Sequence, residues 1–134
     1  MLLLDTCILI YSIEGDPATQ ALVKARVAQL QRRHGAQLAI SRVTLAECLV
    51  GAFKSPDTLL EAMYRECGKA MQVVEMSESV MERAARMRAN AIRQLKMPDA
   101  IIAASCFEFE PKGVLVTRNV RDFDHIAGLV VEAI

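Results

Sequence analysis

The chain predicts an α/β fold with a central, mainly parallel sheet, on three observations. Short apolar runs alternate with segments of helical periodicity, the pattern of strands buried on both faces by helices. A length of 134 residues suits one compact core, so a single domain is expected over residues 1–134. Apolar residues make up 53% of the chain and aromatics only 4%, so Leu, Val, Ile, Ala and Met must fill the interior.

Residues 2–4 read as a short buried strand, with Thr6 placed to cap a helix running through Tyr11 to about Ile13. Gly15, Asp16 and Pro17 break that helix. Asp16 as N-cap and Pro17 in the first helical position open the next, whose apolar face is expected at Ala18, Ala21, Leu22, Ala25 and Ala28. Gly35 ends it. Leu38 to Ile40 form a second strand, and Ser41 caps a helix over 42–53 that is apolar nearly all round. Ser55 and Pro56 start another helix to about Ala70, and 72–75 is either a strand or a connector.

From Ser77 to Lys96, Val80, Ala84, Met87, Ala91 and Leu95 trace one helical face, with Arg83, Arg86, Asn90 and Arg93 on another. Pro98 then starts a new helix with Asp99 in its first turn. Gly113 precedes a strand at 114–116, a short helix is expected near 122–126, and a last strand at 129–132. Sheets of this kind place ligands beyond the carboxyl ends of their strands. Asp5 and Asp122 both follow strands.

Sixteen basic and sixteen acidic side chains balance, so bulk charge gives no argument for a nucleic-acid or membrane partner. Four cysteines, Cys7, Cys48, Cys67 and Cys106, are widely spaced with only His34 and His125 as companions, which argues against zinc and for reduced packing residues. The amino terminus lacks a basic region before its apolar stretch, and no run approaches the roughly 20 apolar residues a membrane span requires. A cytoplasmic protein is expected.

The candidate chemistry lies in Asp5, Glu47, Asp99 and Asp122. Two unit charges about 4 Å apart repel by roughly 4 kcal/mol at an effective dielectric of 20, so gathered carboxylates raise one another's pKa or hold a cation. Oxygen donors select Mg²⁺ or Mn²⁺. Each acid also has an ordinary structural reading: Asp5 and Asp122 as helix caps, Asp99 as a partner of the helix dipole. Glu47, flanked by Leu45, Ala46, Cys48, Leu49 and Val50, is expected to be buried, where it needs a metal or a pairing with Arg42 or Lys54.

The segments LLLDTCILIY, ISRVTLAECLVG, LKMPDAIIAA and LVTRNVRDF resemble, in order and over nearly the whole chain, the signatures of the PIN-domain nucleases. TRNVRDFDHIAGL is especially similar to the VapC toxin branch. The resemblance implies a three-layer α/β/α sandwich in which Asp5, Glu47, Asp99 and Asp122 bind Mg²⁺ or Mn²⁺ and hydrolyse RNA phosphodiester bonds. Asp5 and Asp99 are the central ligands in that reading, Glu47 and Asp122 complete the pocket, and Thr6, Thr117 and Asn119 match supporting polar positions. Arg118 and Arg121 are candidate RNA phosphate contacts, whereas Arg83, Arg86, Arg93 and Lys96 read first as a solvated helix face, with an RNA backbone or a partner as the other reading. Cys7 stands where many relatives carry Asn or Ser, and it is left out of the site.

The resemblance further implies a homodimer and an antitoxin that covers the active site and supplies any contact with operator DNA. A PIN-fold binding module without efficient cleavage is the alternative. A receiver domain lacks its acid pair after the first strand, and a dehalogenase-type phosphatase lacks the second Asp, since Cys7 stands there.

Overall fold

The computed structural model describes residues 1–134. Its elements are β1 (Leu2–Leu4), α1 (Thr6–Glu14), α2 (Pro17–His34), β2 (Leu38–Ser41), α3 (Arg42–Lys54), α4 (Thr58–Ala70), β3 (Gln72–Val74), α5 (Glu78–Ala89), α6 (Met97–Ser105), β4 (Val114–Thr117) and β5 (Val130–Ala133). Two 3₁₀ turns, Cys106–Glu108 and Val120–Asp122, flank β4.

The five strands form one parallel sheet in the order β3-β2-β1-β4-β5. The chain starts at the centre, moves outward through β2 and β3, then crosses to the other side for β4 and β5. The crevice between β1 and β4 is therefore where the winding reverses, and both strands end there, at Asp5 and Thr117.

Alternation along β1 explains the three layers. Leu3 packs with Ala39 and Leu115 under Val80, Ala84 and Ile102 of α5 and α6. Leu2 and Leu4 point the other way, into Ile8, Leu9, Val23, Leu30 and Tyr64 of α1, α2 and α4. All three leucines are 3% exposed or less, and burial of each contributes about 2 kcal/mol. Hence the opening strand carries no polar face, unlike a strand with one side in water.

Asp16 accepts from the Thr19 N–H, Pro17 follows it, and Gly35 closes α2 in the left-handed region at φ 57°, as expected. Ser41 caps α3 through the Val43 N–H. Residues 72–74 are a strand, on the sheet edge.

Several expectations change. The cap of α1 is Asp5, whose side chain accepts from the Thr6 N–H. The buried face of α2 is Val23, Val27 and Leu30, while Ala18, Ala21, Leu22 and Ala25 face outward. Alanine there serves helix propensity, and the bulkier branched residues carry the packing. Helix α4 begins at Thr58, because Asp57 rather than Ser55 captures a free N–H, that of Leu60. Helix α5 ends at Ala89, not Lys96: Asn90 caps it, and an irregular link delivers Leu95 to the core at 3% exposure. Arg88 secures the link by donating to the Leu95 carbonyl at 2.7 Å. The turn near Asp122 is a 3₁₀ turn starting at Val120, and β5 starts one residue later than expected.

Candidate active site

Beyond the carboxyl ends of β1 and β4 lies a cleft of about 240 Å³ walled by Asp5, Thr6, Cys7, Ile10, Glu47, Asp99, Asn119, Asp122 and Phe123. The four acids read from the sequence all line it. They arrive from four places: the end of β1, the middle of α3, the first turn of α6 and the turn after β4.

Asp5 is the most constrained of them, at 5% exposure. Its Oδ1 accepts from the Thr6 N–H at 2.7 Å, and its Oδ2 accepts from the Thr117 hydroxyl at 2.6 Å and the Cys7 thiol at 3.2 Å. Thr117 is held in turn, its oxygen accepting from the Asn119 N–H at 2.9 Å. Because that N–H occupies one lone pair, the hydroxyl proton is directed to Asp5.

Glu47 is exposed rather than buried. One face of α3 sinks Thr44, Leu45, Cys48 and Ala52 into the core, and Glu47 stands on the turn between them, opening into the cleft. An apolar sequence neighbourhood therefore did not mean an apolar environment. Arg42 does not pair with it, being engaged by Glu75. Glu47 instead accepts from the Thr6 hydroxyl at 3.0 Å, with the Thr44 hydroxyl 3.3 Å from the same Thr6 oxygen.

Asp99 carries the clearest electrostatic signature. Burial raises its pKa, and the charges of Asp5, Asp122 and Glu47 raise it further, to about 6, against a small opposing effect of Lys96. Asp122 makes no capping bond and extends from its 3₁₀ turn into the cleft wall.

Cys7 is part of the wall, contrary to its omission on sequence grounds. Burial pushes its thiol up to about 11, with the Asp5 charge adding to the rise. Its place immediately after the Asp5–Thr6 pair, on the first turn of α1, is the signal that places it there. Ile10 sits one helical turn further on, at i+3.

Arg118 and Arg121 are exposed and outside the cleft wall. Arg118 lies over the Tyr11 ring, 4.7 Å from its centroid. On α5, Arg86 pairs with Glu82, and Arg93 in the following link pairs with Asp124.

The donor set is wholly oxygen, and its acids raise the pKa of one of their own number, which is the condition a divalent cation relieves. No three His, Cys, Asp or Glu side chains converge tightly enough to surround one ion directly. Mg²⁺ keeps several of its waters and takes only one or two carboxylates, so spaced acids fit a hydrated ion.

Comparison with known proteins gives a consistent picture. The model of a family described as the PIN domain matches residues 2–129. A chain from a toxin–antitoxin complex of Klebsiella pneumoniae is 31% identical, with a TM-score of 0.71 over 97% of this chain and 96% of that one. A DNA-bound VapBC structure from Salmonella typhimurium matches at 24% identity and a TM-score of 0.78 over 98% of this chain and 96% of that one. VapBC2 from Rickettsia felis, bound to a promoter DNA fragment, matches at 21% and 0.77 over 99% and 98%. The search of curated proteins found no match.

Proposed function

The chain belongs to the PIN domain family, and from that premise we propose that it is an Mg²⁺- or Mn²⁺-dependent endoribonuclease, the toxin of a toxin–antitoxin pair. The observation that carries this reading is the cleft itself. Four carboxylates from distant parts of the chain face one space, and one of them, Asp5, is locked by Thr117 and the Thr6 N–H.

Asp5 and Asp99 would hold the ion centrally, with Glu47 and Asp122 completing its surroundings. When bound, such an ion lowers the pKa of water and offsets charge on a phosphate. The protein's own part is orientation. Thr117 and Cys7 fix the Asp5 carboxylate, Thr6 fixes Glu47, and Asn119 holds Thr117. Phe123 and Ile10 supply the apolar part of the cleft wall. Arg118, steadied on Tyr11, and Arg121 are the residues we assign to RNA phosphates near the acids.

The toxin reading draws on the relative from the Klebsiella toxin–antitoxin complex, matched along nearly its full length. It brings an antitoxin whose segment covers the cleft, operator binding through that antitoxin alone, and a homodimer in the cytoplasm. No helix of the chain is long and apolar enough to cross a membrane. The decisive experiment is expression without a partner, followed by sequencing of RNA ends. Growth arrest with new defined 5′ ends is expected, and Asp5→Ala should abolish both; an Asp5→Ala protein that still cuts would sink the assignment.

The spacing of the acids favours one other reading, a PIN-fold module that binds without efficient cleavage. Wild-type protein that binds Mn²⁺ and RNA but releases no product would establish it.

A further inference from the structure

A second cleft, of about 300 Å³, opens beside α5 and is walled by Arg83, Arg86, Asn90, Phe107, His125 and Ile126 among others. Arg83, Arg86 and Asn90 recur at intervals of three and four, so they share one side of the helix. A more open polar groove continues from it past Ser79 and Glu82, the two sharing Arg83 and Arg86.

The donors here are under-used. Arg83 has no carboxylate partner and rests over the Phe107 ring at 4.9 Å, with the Lys112 ammonium 5.0 Å from the same centroid. Arg86 pairs only with Glu82, at 2.8 Å between side chains 74% and 61% exposed. Pairs that open to water contribute little and exchange readily.

His125 supplies the independent observation. Its side chain is 4% exposed, and its Nδ1 lies 3.2 Å from a guanidinium nitrogen of Arg93. A guanidinium nitrogen only donates, so Nδ1 accepts and Nε2 carries the proton. That Nε2–H is buried and has no acceptor. Buried donors are rarely left so without a partner that the protein itself does not supply.

Two guanidinium groups, an imidazole N–H and an amide around an aromatic ring ask for an oxyanion attached to something flat. The position says which. The segment 122–126 places Asp122 and Phe123 in the acidic cleft and His125 and Ile126 in this one, so one short stretch of chain borders both clefts.

We infer that this second cleft binds a phosphodiester of single-stranded RNA flanking the scissile bond, with Arg83, Arg86 and the His125 Nε2–H on the phosphate and Phe107 against a base. The inference rests on the RNA-cleaving reading of the acidic cleft. It assigns the α5 arginines a place in substrate positioning, distinct from the chemistry.

Two measurements test it. Anisotropy of a labelled oligoribonucleotide with the non-cleaving Asp5→Asn chain should show Arg83→Gln and Arg86→Gln each weakening binding about tenfold. The double variant should flatten the salt dependence by roughly 0.7 in log–log slope per lost phosphate contact. In the otherwise wild-type chain the same changes should raise KM and leave kcat within about twofold. Inorganic phosphate added to the wild-type protein should shift the His125 Nε2 resonance.

Unchanged affinity and slope in correctly folded Arg86→Gln protein would overturn the site. So would an unaltered RNA affinity accompanied by weaker capture of an acidic partner protein, which would make the groove a protein-binding one. RNA cleavage with an unmoved His125 resonance refutes the second site alone. A phosphate-induced shift without any RNA binding or cleavage refutes the nuclease reading, and the RNA assignment with it.

Discussion

The Thr117 hydroxyl donates to Asp5 Oδ2 at 2.6 Å, joining residues 112 positions apart in sequence. The bond crosses between adjacent parallel strands at the point where the winding of the sheet reverses, and both partners are buried.

Thr117→Val should therefore cost about 1–2 kcal/mol of stability, because Asp5 loses a donor and the Asn119 N–H loses its acceptor. RNA cleavage should fall about tenfold or more, with Thr117→Ser restoring most of it. Urea unfolding and initial rates measure the two effects separately.

Asp99 makes acidity a lever. Its folded pKa of about 6 lies above the ordinary carboxylate value, so the folded state binds the additional proton between those two values. Its contribution to stability is accordingly present at low pH and lost as pH rises toward and through about 6. Metal-free protein should gain from Asp99→Asn in melting temperature at pH 7 but not near pH 4. The same variant should lose Mn²⁺ binding at pH 7, and wild-type affinity should fall as pH drops through about 6. Calorimetry with and without chelator reads both, and equal pH dependence in the two proteins would refute the account.

Glu47→Gln should lower cleavage about tenfold while leaving the melting temperature within a degree or two, since the side chain is exposed. Thr6→Val should act in the same direction more weakly, by freeing Glu47. A large loss of stability in Glu47→Gln would restore the buried role that its neighbours in sequence suggest.

Cys7 should be chemically quiet. A thiol raised to about 11 is almost wholly protonated at pH 8, so alkylation by iodoacetamide should be slower than for a free thiol by roughly a factor of 100. Cys7→Ser offers a stronger donor to Asp5 and should retain or raise activity. Mass spectrometry of timed alkylation checks the first point and kinetics the second.

Which parts of this architecture could be read in advance follows from how local each determinant is. Strand β1, the caps at Asp16 and Ser41 and the left-handed Gly35 depend on neighbours in sequence, and they stand where composition and turn chemistry place them. The membership of all four acids in one cleft was legible only through their joint order, because each alone fits an ordinary cap or dipole role. Glu47 misled through its neighbours: Ala46 and Val50 are apolar yet exposed, so a run of apolar letters did not report the face on which Glu47 stands. The excess length expected of α5 has a similar origin. Ala91 and Leu95 keep helical spacing but reach the core through an irregular link, which periodicity cannot distinguish from a helix. The bond between Cys7 and Asp5 has no signal in the sequence, since a thiol's partner depends on which way one helical turn faces.

An all-parallel sheet whose first strand lies at its centre has a consequence for the point in synthesis at which the acidic cleft is complete. Asp5 leaves the ribosome 112 residues before Thr117, whose hydroxyl orients it, and Asp122 follows later still. A nascent chain halted anywhere before β4 holds only part of the acidic cleft and lacks the strand that closes one side of β1. The four acids thus face one another only once the stretch that follows β4 has been made.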